Sequence, residues 1–253
     1  MLEIKNLCIS VSDKDILNNI NLIINDGEIH VLMGPNGVGK SSITKVLTGD
    51  KTYTTKGSIL FDGVNILDDS MTDIARKGIY LVNQSPIQIE GVTNAEMLRT
   101  ALNEINEENI GIFEFNKELE SICERMDLDK SFIHREINVG CSGGERKKIE
   151  MMHLWMLKPK FIILDEIDSG LDVDALNIIV KSINEYYDTY KPSILIITHE
   201  ERMIKNLHID YVHILKDKKL ISSGGEELAK EIINKGFKDF YETNTINGNH
   251  ENE

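Results

Sequence analysis

Eight consecutive residues, Gly34-Pro35-Asn36-Gly37-Val38-Gly39-Lys40-Ser41, carry the spacing GxxxxGK[ST], and a second hydroxyl, Ser42, follows. Glycines at these points let backbone N–H groups turn inward on phosphate oxygens, and the start of a following helix adds its positive end. The lysine reaches the β and γ phosphates, and the serine after it offers an oxygen to Mg²⁺. The chemistry indicated is nucleoside triphosphate binding, with Gly34 to Ser42 as the cradle. A plain glycine turn between a strand and a helix would use the same residue types, but it does not require the lysine or the hydroxyls.

Carboxylates supply the second part. Asp165 and Glu166 end the apolar run Phe161-Ile162-Ile163-Leu164, where a strand would deliver them beside the expected phosphate loop. Asp165 is the candidate Mg²⁺ ligand, through water, and Glu166 the candidate base that polarises an attacking water. Seen alone the pair reads as an acidic turn; next to a phosphate loop it points to hydrolysis. Gln84, just beyond Ile79 to Val82, is placed to orient water or touch Mg²⁺, and His199, after Ile194 to Thr198, to hydrogen-bond the γ phosphate. Ser142-Gly143-Gly144-Glu145 precedes Ile149, Met152, Trp155 and Met156, which have helical spacing, so the motif lies at a helix N-terminus. There it is either an anion site or an ordinary Ser N-cap with Glu145 as its capping-box partner.

The elements that must position these residues follow from the apolar pattern. Leu2 to Val11 and Ile20 to Ile24 alternate as strands, Asp26-Gly27 turns, and Ile29 to Met33 reads as a buried strand feeding the glycine loop. Strand-like runs recur at Phe161 to Leu164 and Ile194 to Thr198 around a helix from about Val173, giving an α/β chain with a largely parallel central sheet. Between about 85 and 140 the pattern turns acidic and helical, over Ala95 to Asn106 and Lys117 to Leu128, which predicts an inserted helical subdomain. The core is then 1–84 and 141–242 of a single domain, and the Asn- and Glu-rich 243–253 is expected to be a flexible tail.

Composition narrows the partners. The 253 residues are 41% hydrophobic and 28% charged, enough for a full core, and the net charge of -14 repels nucleic acid and anionic lipid at long range. Cys8, Cys123 and Cys141 lack CxxC spacing and read as free thiols of a reducing compartment. No apolar run approaches the length of a membrane span, and MLEIKNLCIS lacks the order of a signal peptide, so a cytoplasmic protein without direct membrane insertion is expected.

Taken in order, GPNGVGKSS, Gln84, CSGGE, FIILDE, Ser169-Gly170-Leu171-Asp172 and His199 resemble the phosphate loop, Q-loop, signature, magnesium strand, D-loop and switch histidine of ATP-binding-cassette ATPases, over nearly the whole chain. The resemblance implies an α/β ABC ATPase nucleotide-binding domain with a P-loop core, an N-terminal antiparallel β part and an inserted helical subdomain. It implies Mg²⁺-dependent hydrolysis of ATP to ADP and phosphate, with Lys40, Glu166 and His199 catalytic. Gly34, Pro35, Asn36, Gly37, Val38, Gly39, Lys40, Ser41, Ser42, Gln84, Ser142, Gly143, Gly144 and Asp172 would contact the nucleotide, and Ser41, Gln84 and Asp165 the metal. It also implies a transient, ATP-dependent head-to-tail self-dimer in which Ser142 to Gly144 act in trans.

Within the family, GEIHVLMGPNGVGKSS, the Tyr53 region, SPIQIEGVTNAEMLR, LDEIDSGLDVDAL, and DYVHILKDKKLISSGG with INKGF resemble the SufC-type ATPases of iron–sulfur cluster assembly more than ordinary transporter ATPases. That implies SufB-like and SufD-like scaffold proteins as partners, meeting the chain near Gln84 to Arg99, in the cytoplasm or, for an organelle-encoded chain, the plastid stroma. An ATPase subunit of an ABC membrane transporter, and a nucleotide-gated binding module with incidental hydrolysis, stay open as alternatives. Three departures stand out. Cys141 replaces the usual apolar or aromatic residue of the signature and is expected to act as a small hydrophobe. Ser10 to Asp15 holds no aromatic to stack on adenine, and the bases of Arg146-Lys147-Lys148 either pair with carboxylates or, as is expected, face water.

Overall fold

The computed structural model describes residues 1–105, 110–198 and 201–235. In chain order the elements begin with β1 (Leu2–Val11), β2 (Lys14–Ile24), β3 (Ile29–Met33), α1 (Lys40–Leu47), β4 (Thr54–Phe61), β5 (Val64–Asn65) and α2 (Met71–Arg76). They continue with β6 (Ile79–Val82), β7 (Ile89–Thr93), α3 (Asn94–Ile105), α4 (Ile112–Arg125), a 3-10 turn at Lys130–His134, β8 (Glu136–Ile137), α5 (Gly143–Leu157) and β9 (Phe161–Asp165). The last are α6 (Val173–Tyr190), β10 (Ser193–Ile197), α7 (Glu201–Asn206), β11 (Tyr211–Lys216), β12 (Lys219–Gly224) and α8 (Glu226–Lys235). Among the described residues two compact units result, one of residues 1–67 with 193–198 and 201–235, the other within Asp68–Pro192.

In the first unit an antiparallel sheet runs β2-β1-β4-β5, with Leu2 opposite both Ile24 and Phe61. β2 begins at Lys14, earlier than the alternation from Ile20 suggests, because the left-handed turn at Ser12 and Asp13 closes a hairpin directly onto β1. A second set of strands runs β12-β11-β3-β10, with β3 parallel to β10 and β11 and with β12 antiparallel to β11. All five residues of β3, and all five of β10, are buried, as expected of parallel strands covered on both faces.

One polar exception lies in that apolar layer. His30 on β3 and His213 on β11 are 2% and 5% exposed, with His30 Nδ1 2.9 Å from His213 Nε2. Glu28 Oε2 lies 2.9 Å from His30 Nε2, and Ser223 Oγ of β12 lies 2.8 Å from His213 Nδ1. Burial lowers both imidazoles, His213 to about 4.

The second unit holds the parallel pair β6 and β9 and the short antiparallel pair β7 and β8, together with α2 to α6. The helices expected in the 85–140 region are α3 and α4; the β7–β8 pair was not legible there, since β8 is only two residues long and β7 carries Glu90 and Gly91 in place of an apolar alternation. Asn94 is the hub of this unit's core. Fully buried, it donates through Nδ2 to the Phe132 and Arg135 carbonyls, which fixes Oδ1 as the acceptor of His153 Nε2–H at 2.7 Å. Trp155 Nε1–H donates to Ser182 Oγ at 2.9 Å, joining α5 to α6, and the Arg125 guanidinium of α4 lies 4.1 Å over the indole.

Burial also lowers His153 to about 4. A histidine held neutral when folded, but titrating near 6.5 when unfolded, stabilises the fold above the unfolded value and loses that contribution as pH falls toward 4. From pH 7.5 to 5.5 the loss is on the order of 1 kcal/mol per such histidine. Urea unfolding at the two pH values is therefore expected to show a pH 5.5 penalty smaller by about 1 kcal/mol in His153→Gln than in the parent; an equal penalty would place the titration elsewhere.

Candidate active site

The phosphate-loop residues lie where the sequence places them, between β3 and α1 of the first unit. The loop needs glycine for two different reasons. A side chain at Gly34 would put Cβ 2.6 Å from the Leu215 carbonyl, while Gly39 has φ of 110° and would press Cβ to 2.8 Å from Leu17. Lys40 is the first residue of α1 and only 4% exposed; its Nζ donates to the carbonyls of Gly34 at 2.8 Å and Pro35 at 3.2 Å. The ammonium is thus folded into the loop it serves. Pro35, Asn36 and Gly37 are exposed, Val38 and Gly39 partly so, and Ser41 and Ser42 follow on the first turn of α1 with Ser41 exposed. A cradle without side-chain bulk, an ammonium and two hydroxyls is a donor set that fits a phosphate chain with its magnesium ion.

The carboxylates belong to the second unit. β9 is buried along its whole length and ends on Asp165, 7% exposed, so the strand carries a carboxylate to the end of an apolar layer. Glu166 follows with φ of 45°, a left-handed backbone seldom taken by glutamate, and its carbonyl accepts from Ser169 N–H at 3.1 Å. Gln84, after β6, donates from Nε2 to Glu166 Oε2 at 2.8 Å. The parallel pairing of Val82 with Leu164 explains why residues 82 apart in sequence meet: both chains leave the same end of neighbouring strands. Asp172 starts α6 as its N-cap, Oδ1 accepting from Ala175 N–H at 2.8 Å. His199 lies outside the described residues.

Ser142 is the N-cap of α5. Its Oγ accepts from Glu145 N–H at 3.3 Å and its own N–H donates to Glu145 Oε2 at 2.7 Å, so the capping box read from the sequence is formed. Those bonds hold the Glu145 carboxyl below its ordinary range. Gly143 has open space around it, and a Cβ on Gly144 would make only ordinary contact with Ala175. Cys141 is buried at 6% exposure, and burial pushes its thiol up, in keeping with a small hydrophobe.

Of the basic run after the signature, Lys147 is buried against the expectation of a solvated face, and Lys148 pairs with a carboxylate. Arg146 Nε donates to the Cys141 carbonyl at 3.0 Å, and Lys148 Nζ reaches Asp127. Lys147 is 4% exposed and donates to the carbonyls of Asn83 and, at 2.7 Å, Gln84. Irregular loops leave carbonyls that no ladder satisfies, and these cations fill that role. Burial lowers Lys147 and raises Glu150, each opposed by the other's charge. Sequence reasoning missed Lys147; the signal available was Glu150 one turn further along the same helix face.

The ABC transporter family model matches residues 17–169, more than half of the chain. The chain belongs to that family. As an ABC ATPase it binds ATP with Mg²⁺ and hydrolyses it, and its mixed α/β fold is that of the family's nucleotide-binding domain. It is 40% identical to a probable ABC transporter ATP-binding protein of Streptococcus pyogenes, over 94% of this chain and 93% of that one. It is 41% identical to the probable ATP-dependent transporter ycf16 of Cyanophora paradoxa, again over 94% and 93%. A bacterial ABC transporter cassette solved as a dimer shares the fold with a TM-score of 0.76 at 22% identity, over 89% of this chain and 98% of the other. Among the described residues, no helix of this ABC ATPase is long and apolar enough to cross a membrane.

Proposed function

We propose that this ABC ATPase is the ATP-hydrolysing subunit of a Suf-type iron–sulfur cluster assembly complex. In this reading, residues 1–242 form one cassette with a helical subdomain at about 85–140, and ATP-dependent head-to-tail pairing of two copies drives a conformational change in a scaffold of SufB-like and SufD-like proteins. The Gln84–Glu166 hydrogen bond carries the catalytic half of the proposal, because it puts an amide that can orient water against a carboxylate that can accept its proton. Lys40 and the amides of Gly34 to Gly39 balance phosphate charge, and Ser41, Gln84 and Asp165 supply hard oxygen ligands suited to Mg²⁺. When bound, the metal supplies charge neutralisation at the phosphates. Glu166 takes the proton of the attacking water, and His199 with Ser142, Gly143 and Gly144 of the second copy would close on the γ phosphate. Asp172 belongs to the segment expected to follow the nucleotide across the pair.

The scaffold half rests on the SufC-like segments, above all SPIQIEGVTNAEMLR, which includes β7 and the start of α3. The cytoplasm, or the plastid stroma for an organelle-encoded chain, is the matching location. The test is native, anaerobic purification from the source cells with ATPase rates measured before and after the recovered partners are added back. Soluble SufB-like and SufD-like chains that raise the rate are expected. Recovery with a membrane permease instead would move the protein to transport.

A further inference from the structure

The Q-loop and the signature are far apart in sequence, yet they leave the same end of one two-stranded ladder. Residues 83–88 run into β7 at Ile89, and residues 138–142 run out of β8 at Ile137; Ile89 and Ile137 are paired. In an antiparallel pair, the residues just before one strand lie beside those just after the other. Asn138 closes that junction, its Nδ2 donating to the Ile87 carbonyl at 2.8 Å. On the far side of the signature, Lys147 donates to the Asn83 and Gln84 carbonyls. The Q-loop main chain is therefore held at both ends by residues that bracket Ser142 to Gly144.

Asn138 is not an ordinary turn asparagine. Its φ of 59° is common enough for that residue type, and Gly140 two residues on has φ of 66°. Unlike an exposed turn residue it is 1% exposed, and its Oδ1 is buried without a hydrogen-bond partner. A buried amide satisfied on one side only is costly and is kept where the surroundings dictate it. The surroundings here are two loops of the catalytic machinery.

We propose that Asn138 is a positioning residue, a clasp through which displacement of Q-loop residues 84–88 shifts the signature residues 142–144. This rests on the reading that the signature acts in trans on a second copy. Asn138 is not among the residues assigned to the nucleotide, and its amide bonds to the Ile87 carbonyl, so the clasp is expected to affect pairing and not ATP affinity.

The test uses the full chain in a Glu166→Gln background, with ATP and Mg²⁺, and measures self-association by sedimentation and ATP affinity by equilibrium dialysis. Asn138→Gly keeps the left-handed backbone and deletes the side chain; Asn138→Asp keeps the shape and lacks the Nδ2 donor. Both are expected to weaken ATP-dependent pairing about tenfold, the loss of one buried hydrogen bond, with ATP affinity within twofold of the parent. Ser142→Arg serves as the reference and is expected to abolish pairing. Pairing of both Asn138 variants at parental strength, where Ser142→Arg has none, overturns the clasp. Parental pairing in Ser142→Arg overturns the trans reading instead, and hydrogen exchange of the monomer then decides the clasp. Faster exchange of 84–89 and 139–145 together in both Asn138 variants supports it, and faster exchange confined to 139–141 overturns it.

Discussion

Glu166→Gln is expected to bind ATP as the parent does and to hydrolyse it at least 100-fold more slowly. The substitution keeps size and polarity but removes the group that accepts a proton from water, a contribution usually worth a factor of 100 to 10,000. Local geometry should survive. The left-handed turn at residue 166 is held by the Ser169 N–H on its carbonyl, a backbone bond that the substitution leaves alone. Gln84 Nε2 loses a carboxylate and keeps an amide oxygen to donate to. Single-turnover ATPase assays beside equilibrium binding separate the two quantities. Turnover at the parental rate would remove Glu166 from the reaction.

Lys40→Ala is expected to fail earlier, with ATP affinity lowered about 10- to 100-fold, the effect of losing charge-assisted hydrogen bonds to phosphate. The ammonium is buried against the Gly34 and Pro35 carbonyls, so the alanine also strips the loop of an internal brace. Circular dichroism checks that the fold persists, and nucleotide binding by calorimetry reads the loss; parental affinity would show that the loop amides suffice. The two variants together also divide the functional readings. If only Lys40→Ala abolishes cluster assembly in cells, nucleotide binding drives the scaffold and hydrolysis is incidental. If both abolish it, turnover is required.

Much of the architecture was legible because burial leaves a plain trace in sequence. β3, β9 and β10 are buried at every position, and each appears as a predominantly apolar run, broken in β3 only by His30, that leads to a chemically distinctive residue. The phosphate loop was legible for a different reason, since its glycines answer backbone geometry and steric closeness that no other residue tolerates. What escaped notice depends on partners distant in the chain. Lys147 looks like any surface cation until the loop at Asn83 and Gln84 is seen to lack ladder partners for its carbonyls. β8 has two residues and acquires its identity only from β7. Asn138, two residues before Gly140, reads locally as a turn, and its burial comes entirely from tertiary packing.

The histidine pair of the first unit has a direction. Ser223 O–H donates to His213 Nδ1, His213 Nε2–H to His30 Nδ1, and His30 Nε2–H to Glu28, so each member gives one hydrogen and takes one along a wire ending on a carboxylate. A single added proton is absorbed by reversing the inner links: His30 becomes cationic beside Glu28, His213 turns to its other tautomer, and every bond survives. A second is refused, because two N–H groups would then face each other across 2.9 Å. Three strands of the layer that carries the phosphate loop are thereby pinned by a pair of imidazoles that can hold one added proton but not two.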